Sequence, residues 1–322
     1  METLEMKGPI FIIVCPRSGT SITLNIVARH EELAWVSDNL NGNPNQLKRA
    51  KINRIYDLPT IGDLLYLART QGDHPIMLPY RIKNFLPAPV EPWVFWDSYL
   101  QNFQWRRGGI ISPRRRTKDD ITLSEVMHIR QAIEAICQYQ NKRRFLSKYT
   151  DFPRITYLNE AFPDAIFIHI VRDGRAVAAS YLEKIESEEF GTWNEREWWI
   201  KGWPESWRDE WVKKYKTPLS FVAFQWKFFV SEIWEDAKAI GKNRYMEIRY
   251  KDIVTNPHLT FNRLFEFCQL GKSRRVETYL DKINLSTMDY KWKDRFDNEE
   301  KEILARIVGD SNFTYLLDGD GA

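Results

Sequence analysis

The chain has 322 residues, of which 43% are hydrophobic, enough to bury a sizeable core in one large domain or two small ones. Its formal net charge of +3 is too small to favour a nucleic-acid partner, and three cysteines without metal-ligand spacing indicate reduced thiols and no metal site. The apolar run after the polar residues 1–8 is too short for a signal peptide or a transmembrane segment, so we expect a cytoplasmic protein.

The first predicted element is a buried strand over residues 10–14, a run of five apolar residues. Pro16 ends this strand because proline cannot donate a hydrogen bond to a sheet. A loop of polar residues and one glycine then leads into a helix, and it consists of Arg17, Ser18, Gly19, Thr20 and Ser21. A helix N-terminus attracts anions, and the arginine adds a permanent positive charge. The loop therefore predicts a phosphate site, although it lacks the Gly-Lys pair of a Walker A kinase loop.

The region that follows is irregular and aromatic. Residues 34–36 predict a short second strand that ends just before Asp38, and residues 40–60 predict a surface excursion without regular structure. Residues 61–69 predict a short helix, and the proline-rich residues 75–92 predict an extended or looped segment. Aromatic residues then precede a basic run at 114–116. This part either forms a lid packed on the core, with solvated arginines, or lines a pocket for a sugar or an acidic acceptor.

Regular structure resumes after the basic run. The predicted elements are a helix over 122–142, a strand over 144–148, a helix over 154–161, a strand over 165–171 and a helix over 176–184. The first of these helices begins at a capping box formed by Thr122 and Glu125. The two strands end on Lys148 and directly before Arg172. Because ligands bind beyond the C-terminal ends of parallel strands, Arg172 predicts a second anion site.

The remaining elements complete an α/β fold. Tryptophans recur at roughly helical spacing in residues 188–234, and we interpret them mainly as packing residues. The later predicted elements are a strand over 245–250, a helix opened by Asn256 and Pro257, and a last helix over 299–308. We predict one P-loop-like domain over residues 1–322, with a central parallel sheet flanked by helices. Aromatic-rich insertions at about 40–118 and 188–226 would form a substrate lid on the acceptor side.

Several stretches, in the same order along the chain, resemble the sulfotransferases that use 3′-phosphoadenosine 5′-phosphosulfate (PAPS). Residues 16–21 look like the 5′-phosphosulfate loop of that family, in the arginine form of its tyrosylprotein and carbohydrate members. Residues 172–180 look like the 3′-phosphate motif, and residues 249–257 are similar to the Tyr-Glu-Asp-Leu stretch and the helix after it. Residues 162–165 match the lead into the family's second conserved strand, and residues 291–293 resemble a late Lys-Trp element.

The resemblance implies transfer of a sulfuryl group from PAPS to an acceptor hydroxyl, with 3′-phosphoadenosine 5′-phosphate (PAP) as the product and no metal. Two separate anion sites suit this donor, because it carries a 5′-phosphosulfate and a 3′-phosphate. The implied catalytic residues are Arg17, Lys148 and the base Asp38, which stands where the tyrosylprotein enzymes have a glutamate. The implied donor-binding residues are Arg17, Ser18, Gly19, Thr20, Ser21, Arg172, Ser180, Lys184, Tyr250, Ser286 and Lys291.

Four alternatives remain open at this point. The chain could be a P-loop small-molecule kinase, or a non-catalytic relative that binds PAP or a glycan. Asp38 can equally be read as a helix or turn cap, and Lys148 as a solvated loop lysine. The aromatic residues suit a small-molecule or glycan acceptor, with a carbohydrate or glycolipid hydroxyl favoured, and no pattern indicates an oligomeric state.

Overall fold

The computed structural model describes residues 6–71, 79–100, 115–150, 152–187, 199–287, 289–309, 313 and 316–317. In this part of the chain five parallel strands form a single sheet: β1 (Lys7–Val14), β2 (Leu33–Trp35), β3 (Arg144–Tyr149), β4 (Ile166–Val171) and β5 (Tyr245–Arg249). Their spatial order is β2-β3-β1-β4-β5. The predicted α/β class and parallel sheet are confirmed.

Strand β1 is the centre of the sheet, because β3 pairs with one of its edges and β4 with the other. All of its residues after Lys7 are buried, as the run of isoleucines predicts. The register aligns Ile13 with both Tyr149 and His169, so β1, β3 and β4 end at the same edge of the sheet. The loops that follow these three strands are therefore neighbours, and they carry the predicted site.

Helices cover both faces of the sheet, and shorter helical turns connect them. They are α1 (Thr20–Val27), α2 (Asp38–Asn41), α3 (Ile61–Thr70), α4 (Tyr80–Phe85), α5 (Trp93–Tyr99), α6 (Leu123–Gln140), α7 (Ile155–Ala161), α8 (Gly174–Glu186), α9 (Glu205–Glu210), α10 (Pro218–Ile240), α11 (Tyr250–Thr255), α12 (Pro257–Phe267), α13 (Arg274–Leu280), α14 (Lys291–Arg295) and α15 (Asn298–Val308). The predicted capping box is confirmed, since Thr122 and Glu125 satisfy each other's backbone amides at the start of α6.

Two stretches that the sequence predicts to be irregular contain helices. Residues 40–60 include a 3₁₀ helix, Leu47–Asp57, in which Ala50, Asn53 and Tyr56 are buried. Their spacing of three matches the three residues per turn of a 3₁₀ helix, which a search for the α-helical period overlooks. The proline-rich stretch contains α4, which follows directly on Pro79. Both predictions of irregular structure were wrong, and residues 72–78 lie outside the described part.

The tryptophans around α10 pack in the core, as predicted. Trp203, Trp211 and Trp226 are at most 4% exposed, and each indole N–H donates a hydrogen bond. The one from Trp226 reaches the carbonyl of Arg172 at 3.1 Å, so this tryptophan supports the residue at the end of β4. The aromatic residues at 101–105 and 188–198 lie outside the described residues, and the lid stays a prediction.

The basic run at 114–116 is not simply solvated. Arg115 forms ion pairs with Asp236 and Glu232 on α10, and Arg116 is buried and pairs with Asp120 at 3.6 Å. The ion pairs of Arg115 anchor the end of the predicted acceptor-side insertion to α10. Arg114 lies outside the described residues.

The three cysteines are free and buried, in line with the expected reduced thiols. Burial raises the pKa of the Cys137 and Cys268 thiols to about 12, so both are protonated at neutral pH. Among the helices of the described residues, none has the length and apolar character needed to cross a membrane.

Candidate active site

The loop after β1 turns sharply because two of its residues adopt a left-handed backbone. Arg17 has φ +72° and Gly19 has φ +81°, and α1 begins at the next residue, Thr20. A Cβ atom on Gly19 would lie 2.2 Å from the ring of Tyr250, so only glycine fits this turn. The Ser18 side chain is fully buried, and its Oγ has no hydrogen-bond partner among the described residues. The loop thus presents a polar atom that a ligand can satisfy.

Gly19→Ala should lower the free energy of unfolding by about 2 kcal/mol or more, since the new methyl group combines backbone strain with a clash against Tyr250. Urea unfolding measures this loss. Gly271→Ala is the matched control, because its Cβ would meet nothing closer than Glu32 Oε1 at 3.5 Å. If the two variants were equally stable, the close approach of Tyr250 to the loop would be wrong.

Arg172, at the end of β4, is held by three different groups. Its Nε and Nη2 both lie 2.6 Å from Asp289 Oδ1, and its Nη1 donates to the carbonyl oxygen of Arg17 at 2.7 Å. Its guanidinium also stands over the ring of Tyr250, 4.6 Å from the centroid. The side chain is only 9% exposed. Arg172 therefore connects the loop after β1 with the segment just before α14.

Arg17 joins the same cluster through its side chain. Its Nε donates to Ser180 Oγ at 3.0 Å, and Ser180 lies near the middle of α8. Helix α8 starts at the end of β4, where the carboxylate of Asp173 accepts from the amide of Arg175 and pairs with its guanidinium. The predicted 5′-phosphosulfate loop and the predicted 3′-phosphate motif are thus in direct contact at adjacent strand ends.

Lys148 reaches the loop from the other neighbour of β1. Its side chain is 8% exposed, so the alternative of a solvated lysine is wrong. Its Nζ lies 3.4 Å from Thr20 Oγ1 and 3.5 Å from Glu91 Oε2. Glu91 in turn accepts from the amide and hydroxyl of Thr150, directly after β3. A buried lysine therefore stands between the loop and a carboxylate from the predicted acceptor-side insertion.

Asp38 lies at the start of α2 and binds three donors. Its Oδ1 accepts from the amides of Asn39 and Ala88 at 2.8 and 3.0 Å, and its Oδ2 accepts from Arg69 Nη2 at 2.5 Å. These contacts tie α2 to α3 and to the segment after α4. The cap of α2 is Ser37, whose Oγ accepts from the amide of Leu40, so the helix-cap interpretation of Asp38 is wrong. The bonds of Asp38 to Arg69 and to the amide of Ala88 still give it a structural role that accounts for its position as well as the catalytic role does.

The other predicted donor-binding residues lie around this cluster. Ser21 is exposed in the first turn of α1, and Lys184 is half-buried one turn beyond Ser180 on α8. Tyr250 begins α11 between Gly19 and Arg172, and burial raises the pKa of its hydroxyl. Ser286 and Lys291 are exposed, and Lys291 opens α14, which packs against α8.

Two carboxylates at the site were not predicted from the sequence. Glu91 contacts Lys148 and Asp289 contacts Arg172, but neither belongs to a motif or follows a predicted strand. The sequence feature nearest to Asp289 was the stretch at 291–293 that resembles a Lys-Trp element, because Lys291 follows Asp289 by two residues. In the described part of the chain, no cluster of three or more His, Cys, Asp or Glu side chains is arranged to hold a metal ion.

A comparison with protein families assigns the chain. The profile of the Sulfotransferase family matches residues 97–273, which is more than half of the sequence. The chain belongs to the sulfotransferase family. The match includes Lys148, Arg172, Ser180 and Tyr250, whereas the loop after β1 precedes it. Among curated proteins, the sequence search finds no match.

Solved structures show the same fold as this sulfotransferase. The sulfotransferase STF9 from Mycobacterium avium has a TM-score of 0.56 at 13% identity, over 98% of this chain and 79% of that one. The sulfotransferase STF1 from Mycobacterium tuberculosis H37Rv has a TM-score of 0.55 at 14% identity, over 95% of this chain and 78% of that one. Family and fold together identify a sulfotransferase enzyme, and the kinase alternative is wrong.

Proposed function

We propose that this sulfotransferase takes its sulfuryl group from PAPS and transfers it to a hydroxyl group of a carbohydrate or glycolipid, with residues 1–322 acting as one catalytic domain. The choice of donor rests on one observation. Arg17 donates to Ser180 and accepts from Arg172, so the segments that resemble the 5′- and 3′-phosphate sites lie side by side. A donor that carries phosphates at both ends of one nucleoside can span them.

The residues present fit such a donor. The unsatisfied hydroxyl of Ser18 and the amides that lead into α1 would hold the 5′-phosphate, together with Thr20 and Ser21. Arg172 and Ser180 would hold the 3′-phosphate. Lys184, Tyr250, Ser286 and Lys291 are proposed as further contacts, because they lie on the elements around these two groups.

The donor supplies a sulfuryl group whose in-line transfer, like phosphoryl transfer, accumulates negative charge on the leaving phosphate and on the sulfuryl oxygens. Arg17 would stabilise the leaving phosphate, and Lys148 the sulfuryl oxygens. Both cations are fixed before the donor arrives. Ser180 accepts from the guanidinium of Arg17, and Arg172 donates to the backbone carbonyl of the same residue. Lys148 is buried between Thr20 and Glu91.

The exposed side chains of α4 support a partly apolar acceptor. Ile82 and Phe85 are 49% and 70% exposed. Their helix is close to the predicted base, since the carbonyl of Phe85 accepts from Asn39 and the amide of Ala88 donates to Asp38. A glycolipid offers both a hydroxyl group for Asp38 and an apolar part for α4.

Asp38 remains the proposed base that takes the proton of the acceptor hydroxyl. Asp38→Asn should lower kcat about a hundredfold, with no recovery at high pH, because the amide cannot accept that proton. Asp63→Asn is the control, since Asp63 is also paired with an arginine, Arg29, and should keep the wild-type rate. If Asp38→Asn kept its full rate across the pH range, Asp38 would serve only to hold Arg69 and the amides of Asn39 and Ala88.

Two experiments test the donor assignment. The first compares the melting temperature of the protein in PAP, in ATP with Mg²⁺, and in buffer alone. The second measures transfer of labelled sulfate from PAPS to a panel of glycans and glycolipids. PAP should raise the melting temperature more than ATP with Mg²⁺ does, and a carbohydrate or glycolipid should become labelled. Stabilisation by PAP without transfer to any member of a broad panel would support the non-catalytic alternative. Equal or greater stabilisation by ATP with Mg²⁺ would contradict the choice of donor.

A further inference from the structure

Asp289 occupies the position on Arg172 where an oxyanion ligand would be expected. Its Oδ1 accepts from both Nε and Nη2 of Arg172, so one carboxylate oxygen spans an entire edge of the guanidinium. Planar edges of this kind are what arginine offers to carboxylates and phosphates alike. The two side chains are 9% and 10% exposed, so solvent screens the pair only weakly.

The pair conflicts with a phosphate bound at the same place. Asp289 already neutralises Arg172, and a phosphate placed beside the guanidinium would bring like charges together where water is largely excluded. The edge formed by Nη1 and Nη2 keeps N–H groups that a phosphate could reach, although Nη1 also donates to the carbonyl of Arg17 at 2.7 Å. A phosphate on that edge does not resolve the conflict, because Nη2 is shared with Asp289 and the two anions would still be adjacent. Either the carboxylate leaves or the phosphate binds poorly.

We propose that Asp289 holds Arg172 in the free enzyme as a substitute for the 3′-phosphate, and that donor binding exchanges one anion for the other. This inference rests on the proposed function. The carboxylate keeps the guanidinium buried and oriented while the site is empty. It also lowers the affinity for PAP, and thereby favours release of the product.

The exchange connects the donor site to α14. Asp289 stands two residues before Lys291, the first residue of this helix, and Trp292 packs its ring 4.2 Å from the guanidinium carbon of Arg175 on α8. Release of Asp289 from Arg172 therefore frees the N-terminal end of α14 while the ring of Trp292 still anchors the helix to α8. Lys291, a proposed donor contact, is at the freed end.

The test compares the affinities of PAP and adenosine 5′-phosphate, which lacks the 3′-phosphate, by isothermal titration calorimetry. Asp289→Asn should bind PAP about tenfold more tightly than the wild type, because the competing charge is gone. The affinity for adenosine 5′-phosphate should stay within about twofold. Asp289→Glu keeps a carboxylate and should stay close to the wild type. Asp294→Asn, which removes an exposed charge from α14, should change neither affinity.

A gain specific to PAP in Asp289→Asn supports the exchange, and equal or weaker binding of PAP overturns it. The rise in melting temperature at saturating PAP gives a second measurement, and it should be larger for Asp289→Asn than for the wild type even if that variant is less stable on its own. If neither protein prefers PAP to adenosine 5′-phosphate, the proposed donor itself is wrong, which is a different failure from the loss of the exchange alone.

Discussion

Arg17→Ala should lower kcat at saturating PAPS about a hundredfold or more, a loss of roughly 3 kcal/mol of transition-state stabilisation. The reason is that Arg17 is proposed to stabilise the leaving phosphate from the loop after β1, where Ser180 accepts from its side chain and Arg172 donates to its carbonyl. The left-handed backbone at residue 17 does not confound the comparison, because arginine and alanine both carry a Cβ and meet the same strain. Initial rates with labelled PAPS and a competent acceptor measure the effect.

Two further variants separate the charge of Arg17 from its shape. Arg17→Lys retains a cation but loses the forked guanidinium, and we expect it to recover part of the rate. Ser180→Ala removes the partner of Arg17 Nε and should weaken PAP binding more than it lowers kcat. Turnover unchanged in Arg17→Ala would exclude this side chain from the mechanism, whatever the affinity for PAP.

Lys148→Ala should also lower kcat about a hundredfold, because it removes the buried cation next to Thr20. Lys142→Ala is a matched control, because Lys142 lies two residues before the opposite end of the same strand. Lys142 is likewise shielded from solvent and pairs with a carboxylate, Asp57, at 2.7 Å. Its loss should lower stability and leave kcat almost unchanged, so a general effect of removing a largely shielded, paired lysine is separated from a catalytic one.

Combining Lys148→Ala with Glu91→Gln shows whether the two side chains act together. Their charged atoms lie 3.5 Å apart, which is close enough for non-additive effects of about 0.5–3 kcal/mol. We expect the double variant to lose less activity than the sum of the single variants, because Glu91 acts mainly by holding Lys148. If Lys148→Ala kept its rate, the sulfuryl oxygens would be stabilised by other groups.

The parts of the site that were predictable are those with a local signal. An apolar run, a proline and a glycine define β1, its end and the turn at residue 19, and the structure shows why alanine would not fit there. The Arg172 segment was predictable for the same reason, since it directly follows β4. Parallel pairing of β1 with β4 then brings the two segments together.

The partners that were missed are distant along the chain and have no local pattern. Glu91 meets Lys148 because the chain between α4 and α5 folds over the end of β3, and Asp289 meets Arg172 because α14 packs on α8. Such contacts depend on tertiary packing, which one sequence does not reveal. The 3₁₀ helix Leu47–Asp57 was missed for a different reason, since its buried residues recur every three positions within a polar stretch.

A crystal structure of the protein bound to PAP would show whether the loop after β1 and the segment after β4 bind the two ends of one nucleotide. We expect the 5′-phosphate on residues 18–21 and the 3′-phosphate between Arg172 and Ser180, with Asp289 released from Arg172. PAP bound at another place, or with only one phosphate in contact with these two segments, would contradict this expectation.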